Sequence, residues 1–107
     1  MTIMTDRGSY KERLIPSTDL PTFPEPPYQA TYPCLLPDGD YLDLPFLPLP
    51  PNFDTAIAFL CSNQTSFEVE DRLSTHMAAI AKALHPEVVV GMPTLGMVYA
   101  ASVAEKL

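Results

Sequence analysis

Val88-Val89-Val90-Gly91-Met92-Pro93-Thr94-Leu95-Gly96, running on into Met97–Leu107, decides how this chain is read. Three consecutive β-branched residues predict a short strand buried on both faces, as in a parallel sheet. Gly91 ends the run. Pro93 fixes one φ angle and donates no hydrogen bond. Thr94 is a residue type that caps helix starts. Gly96 permits a tight turn or a close backbone approach. The residues from Met97 onward have helical composition, with Met97 or Val98, Ala100, Val103 and Leu107 spaced by threes and fours. The pattern is strand, tight loop, helix. In an open α/β sheet such a loop lies at the carboxyl end of its strand, where ligands bind. The amides of Thr94, Leu95 and Gly96 are expected as unpaired first-turn donors. Such donors, together with the helix dipole, favour an anion, phosphate above all.

A βα unit needs a turn whether or not it binds anything, so the loop residues alone leave a purely structural turn open as well. Three familiar loops are excluded. No Gly-Lys-Ser/Thr follows, as a P-loop requires, and the G-x-G-x-x-G dinucleotide fingerprint is absent. There is no Gly-x-Ser-x-Gly nucleophile elbow either.

Upstream of the valines, Phe67 to about Leu84 reads as a helix. Val69, Leu73, Met77, Ile80 and Leu84 keep the 3.6 period, and His85-Pro86 ends it. Thr65-Ser66-Phe67-Glu68 matches a capping box, with Thr65 as the cap. Ser62-Asn63-Gln64 is a polar loop. Before it, Thr55–Cys61 reads as a buried strand. Strand, helix and strand in this order imply a right-handed parallel crossover. Further back, Thr31–Leu36 and Tyr41–Leu44 flank Pro37-Asp38-Gly39-Asp40, a hairpin signal. Pro45 and Pro48 demote the continuation to an edge or an extended arm.

Eleven of the thirteen prolines lie at or before Pro51. Residues 1–30 hold five of them among Ser, Thr, Asp and Glu, and read as a disordered Pro-rich tail. Pro21-Thr22-Phe23-Pro24 matches P-x-x-P, but no basic residue flanks it, so it reads as part of a solvated tail. The organisation expected is a tail over 1–30 and an incomplete domain over 31–107. That domain divides into a hairpin and extended arm, 31–51, and a βαβα unit, 52–107.

The chain has 107 residues and a net charge of −7. That balance argues against a nucleic-acid surface, which needs a basic patch. Amides can still bind phosphate in an acidic protein. Cys34 and Cys61 lie in apolar runs and read as reduced and buried, which predicts a cytoplasmic setting. No apolar run is long enough for a membrane span, and no secretory leader follows Met1. His76 and His85 stand at no metal-ligand spacing. Glu68, Glu70 and Asp71 suit the dipole at a helix start without any catalytic role.

The run from Pro86 to Gly96, followed by the small-residue helix ending Ala104-Glu105-Lys106-Leu107, resembles the first phosphate-loop region of type I phosphoribosyltransferases. Ser62-Asn63-Gln64-Thr65-Ser66-Phe67 before a long helix resembles the same place in adenine- or purine-type members. The hairpin at Leu35–Gly39 has its counterpart there too. The resemblance spans roughly residues 31–107 and implies an α/β fold: a partial parallel sheet of phosphoribosyltransferase type, preceded by a β-hairpin and a Pro-rich tail. It implies a pyrophosphate-binding loop at Gly91, Met92, Pro93, Thr94, Leu95 and Gly96, and a substrate-side loop at Asn63 and Gln64. It implies phosphoribosyl pyrophosphate and a purine base as partners, with Mg²⁺ carried by the substrate, and transfer of a pentosyl group in nucleotide salvage. The chain departs from the family in two places. Leu95 stands where many members carry Lys or Arg. The acidic-pair motif that holds the ribose phosphate is missing, since Glu70-Asp71 falls in a helix. The chain thus reads as the N-terminal half of such an enzyme, inactive by itself. The alternative is a non-catalytic interaction module, in which open strand edges and an apolar face bind a partner or form a homodimer.

Overall fold

Asp38-Gly39 sets the main turn of the sheet, because Gly39 adopts φ +94°, which costs glycine nothing. In the computed structural model, which describes residues 11–19 and 23–107, the Leu36 amide donates to Asp40 O at 2.9 Å. Gly39 N–H donates to Leu36 O at 3.1 Å, and the Asp38 carboxylate accepts from Asp40 N–H at 3.0 Å. Across this turn Thr31–Leu35 pairs antiparallel with Tyr41–Pro48, Leu35 opposite Tyr41 and Thr31 opposite Pro45. The hairpin expected from Asp-Gly is therefore present, and its second strand runs on to Pro48.

Two further strands flank that second strand. With β1 as Arg13–Ile15, β2 as Thr31–Leu35, β3 as Tyr41–Pro48 and β4 as Ala56–Ala58, the order is β1-β3-β2, and β4 pairs with the far end of β3. All these pairings are antiparallel. The structure corrects the sequence reading here. β3 is a central strand rather than an edge. Its prolines are tolerated because Pro45 is the last residue paired with β2, and Pro48 is the strand's last residue. β4 is short and exposed, not a buried strand over Thr55–Cys61. Residues 49–55 close it locally onto β3, with Leu49 N–H donating to Thr55 O at 2.9 Å. Such local closure costs little chain entropy.

β1 lies in the segment read as disordered tail, and for these residues that reading is corrected. Arg13 stands opposite Asp43, and its guanidinium reaches the Asp43 carboxylate at 3.2 Å. Asp43 is buried, so the ion pair compensates a charge that would otherwise be costly to hide. A 3₁₀ turn, Ser17–Asp19, follows, and Ser17 N–H donates to the Asp40 carboxylate at 3.0 Å. Phe23 packs edge-to-face on Tyr41, and Tyr28 on Tyr32, both at 5.4 Å between ring centres. Pro21 and Thr22 of the P-x-x-P match lie outside the described residues, as do residues 1–10 of the tail.

Burial and the neighbouring Asp43 carboxylate raise the Tyr41 hydroxyl above its ordinary pKa of 10.0, and Arg13 opposes them. The sign follows directly. The folded state holds this proton more tightly than the unfolded chain does. The stabilisation is therefore complete below pH 10.0 and is lost as pH rises through the folded pKa. Stability measured by urea unfolding is expected to fall above about pH 10, and Tyr41→Phe is expected to remove this part of the fall. An identical alkaline slope in the variant would assign it to other groups.

The chain divides after Leu60, and Cys61–Leu107 forms a second compact unit of two helices, α1 (Phe67–Lys82) and α2 (Met97–Lys106). Ser66, not Thr65, caps α1: its side chain accepts from Val69 N–H at 3.2 Å. Thr65 is engaged elsewhere, against the Tyr99 hydroxyl at 2.9 Å. The helix ends in a tightened turn, with Leu84 N–H donating to Ala81 O and His85 N–H to Lys82 O, and His85 at φ +48°. The buried positions of α1 are Val69, Ser74 and Ala78. The row expected to be buried is largely open: Met77, Ile80 and Leu84 are exposed. Small residues allow close helix approach, and Ser74 satisfies its own hydroxyl on Glu70 O at 2.7 Å. Ser102 donates to Glu70 at 2.6 Å, and Lys106 meets Asp71 at 3.0 Å, so polar contacts fix how α2 packs. Tyr99 and Val103 are the buried residues of α2.

Val88–Val90 forms no strand, and the partial parallel sheet with its crossover is not formed among the described residues. Val88 and Val90 are 75% and 79% exposed. β-Branched residues favour an extended backbone, but a strand also needs a neighbour to complete its hydrogen bonds. The observed fold class is therefore mixed α/β, with an open antiparallel sheet of four strands and two helices. No helix among the described residues is long and apolar enough to cross a membrane.

Candidate functional site

The 91–96 loop is closed by its own backbone. Gly96 N–H donates to Met92 O at 2.9 Å, and Met97 N–H to Thr94 O at 3.3 Å. Both glycines are sterically required. A Cβ on Gly96 would sit 2.8 Å from Met92 O and 3.0 Å from Met92 N. A Cβ on Gly91 would sit 2.7 Å from the Cβ of Ala100, where α2 passes. The spacing of the two glycines thus reflects a loop folded back on itself and on the first turns of α2. The Pro93–Thr94 peptide is cis.

The loop's donors differ in one respect from those expected. The Gly96 amide is consumed by Met92 and is not available to a ligand. The amides of Thr94 and Leu95 have no acceptor among the described residues. Gly96 is the residue that caps α2, with no side-chain cap bond, so Thr94 does not serve as the cap. Met92, Pro93, Thr94 and Leu95 are all exposed. The surface of the loop therefore offers two free amides and the Thr94 side chain beside a helix N-terminus, where partial positive charge gathers.

The second predicted segment lies against the first. Ser62 Oγ donates to Leu95 O at 3.0 Å, which brings the turn holding Asn63 and Gln64 to the loop. That turn is organised from within. Gln64 N–H donates to Cys61 O at 3.0 Å, and the Cys61 thiol donates to the Asn63 side-chain oxygen at 2.9 Å. With that oxygen engaged, the Asn63 amide presents its NH₂ donors. Asn63 and Gln64 are both exposed. Sequence reading found the two segments but not the groups that join them, Ser62 and the Thr65–Tyr99 pair. A serine in a polar turn carries no mark of a partner 33 residues away.

All these donors are neutral. Neither Lys nor Arg belongs to the loop or the turn, so an anion would be held by amides without a compensating cation from either. Neither segment contains a carboxylate, and no group of three His, Cys, Asp or Glu side chains among the described residues could hold a metal ion. Outside this region, His76 is half-buried on α1 and His85 is exposed, while Cys34 and Cys61 are free thiols. No family model, no curated protein and no solved structure matches this chain.

Proposed function

We propose that this chain is a phosphoribosyltransferase-like protein of purine or nucleotide salvage, whose 91–96 loop holds pyrophosphate, or the diphosphate of phosphoribosyl pyrophosphate, through backbone amides. One observation carries the proposal: the Thr94 and Leu95 amides stand unengaged on a loop closed too tightly for a side chain at Gly96. Backbone donors at a helix start suit phosphate oxygens. Asn63 and Gln64, brought to the loop by Ser62, supply side-chain amides for the substrate side, with a purine base as the partner. Mg²⁺ would travel on the substrate's phosphates. Two reduced thiols accord with a cytoplasmic protein. In a parallel sheet of phosphoribosyltransferase type, the exposed Val88–Val90 run would gain the neighbour it lacks here. Pentosyl transfer needs stabilising groups on both sides of the reacting carbon, and the 91–96 loop offers them on one. It is read as a binder without turnover.

Titration with pyrophosphate, followed by amide chemical shifts, tests the reading. The Thr94 and Leu95 amides are expected to move most, and Gly96 less, since its N–H is already bonded. Shifts confined to other residues would overturn the proposal. The exposed apolar side chains of Met77, Ile80, Leu84, Val88, Val90 and Met92 favour a second reading, a non-catalytic module that associates with itself. That reading gains if pyrophosphate leaves the loop amides unmoved.

A further inference from the structure

The bond from Ser62 Oγ to Leu95 O has a particular geometric effect. It holds the carbonyl of the Leu95–Gly96 peptide, while Met92 O holds the N–H of the same peptide at 2.9 Å. A peptide unit is planar, so anchoring its oxygen and its hydrogen fixes the whole unit. The remaining backbone bonds of the loop are internal to it or to α2. Among the described residues, Ser62 is the side chain that bonds to the loop from outside.

Ser62 is itself held in place. The Thr65 hydroxyl donates to Ser62 O at 3.3 Å and meets the Tyr99 hydroxyl at 2.9 Å, so the turn is tied to α2. We infer that Ser62 is a positioning residue: its hydroxyl orients the Leu95–Gly96 peptide, so that the Thr94 and Leu95 amides present to one anion, with the 62–64 turn as a second wall of the same site. What is positioned rests on the pyrophosphate reading above; the positioning itself rests on the hydrogen bonds. No charge is involved, so the effect is one of geometry and rigidity. Loss of a single neutral hydrogen bond sets its scale.

The experiment compares the whole chain with Ser62→Ala and Ser62→Thr. In the free protein, Ser62→Ala is expected to shift the amide resonances of residues 94–97 and to speed exchange of the Gly96 amide. Ser62→Thr, which keeps the hydroxyl, is expected to restore both. Pyrophosphate should bind Ser62→Ala about three- to tenfold more weakly than wild type, and Ser62→Thr close to wild type. The helical circular dichroism signal should be the same in all three. Unchanged shifts and exchange at residues 94–97 in free Ser62→Ala would overturn the inference, whatever pyrophosphate does. Failure of Ser62→Thr to restore them would do the same, as would loss of the helical signal in Ser62→Ala. Absence of pyrophosphate binding by the wild type would instead remove the functional reading, while the free-protein spectra still decide the positioning.

Discussion

Gly96→Val is expected to weaken pyrophosphate binding by about 5- to 150-fold, the equivalent of the roughly 1–3 kcal/mol that overpacking typically costs. The cause is local. A Cβ at this position would lie 2.8 Å from Met92 O and 3.0 Å from Met92 N, both backbone atoms with no rotamer to escape into. A β-branched side chain can be accommodated only by opening the loop. Opening breaks the Gly96 N–H to Met92 O bond and frees the peptide that Ser62 holds. The Thr94 and Leu95 amides are then no longer held by a closed loop. The helix pair should survive, because Thr65–Tyr99, Ser102–Glu70 and Lys106–Asp71 hold it apart from the loop. Calorimetric titration of pyrophosphate, with circular dichroism as a folding control, measures the effect. Wild-type affinity in Gly96→Val would show that the closed loop is not what binds.

Leu42→Ala is expected to destabilise the sheet by about 2–5 kcal/mol, the range for emptying a leucine site in a core. Leu42 is 2% exposed and stands between Leu14 of β1 and Cys34 of β2 in register. Its methyl groups therefore serve three strands at once. A domain of this size has a total stability of only about 5–15 kcal/mol, so the loss is a large part of the whole. Leu35→Ala is the control. Leu35 is 62% exposed, and its truncation should stay within about 0.5 kcal/mol, as for most surface changes. Urea midpoints of the two variants and the wild type decide the matter. Equal midpoints for Leu42→Ala and Leu35→Ala would mean that this face of the sheet is not its core.

How legible each part was depended on how local its cause was. Asp38-Gly39 carries its turn within four residues, and the hairpin reading held. The helices were legible from their periodicity, but the face that α1 buries was not. Sequence weight falls on Met77, Ile80 and Leu84, whereas packing uses Ser74 and Ala78, small residues with a faint apolar signal. Val88–Val90 declares strand propensity, yet propensity names no partner. β1 was hidden because its reason for ordering, Asp43, lies 30 residues from Arg13. In the candidate site, the glycine spacing located the loop and the polar run located the turn. That Gly96 spends its amide on Met92, and that Ser62 ties the two segments, are facts of three-dimensional closure.

The register of β3 also carries an order of assembly. Residues 36–40 close the β2–β3 hairpin, a loop of five, whereas residues 16–40 must close to bring β1 onto the other side, a loop of 25. With a cost that grows as the logarithm of loop length, the second closure is dearer by about 1.4 kcal/mol of chain entropy. Loop closure thus favours a hairpin that forms first, with β1 added to it. The same entropy favours β1 parting from β3 before β2 does. Departure of β1 would strip Asp43 of Arg13 and open a largely buried carboxylate to water. The N-terminal strand is thus placed as a clasp over Tyr41, Leu42 and Asp43 of the hairpin.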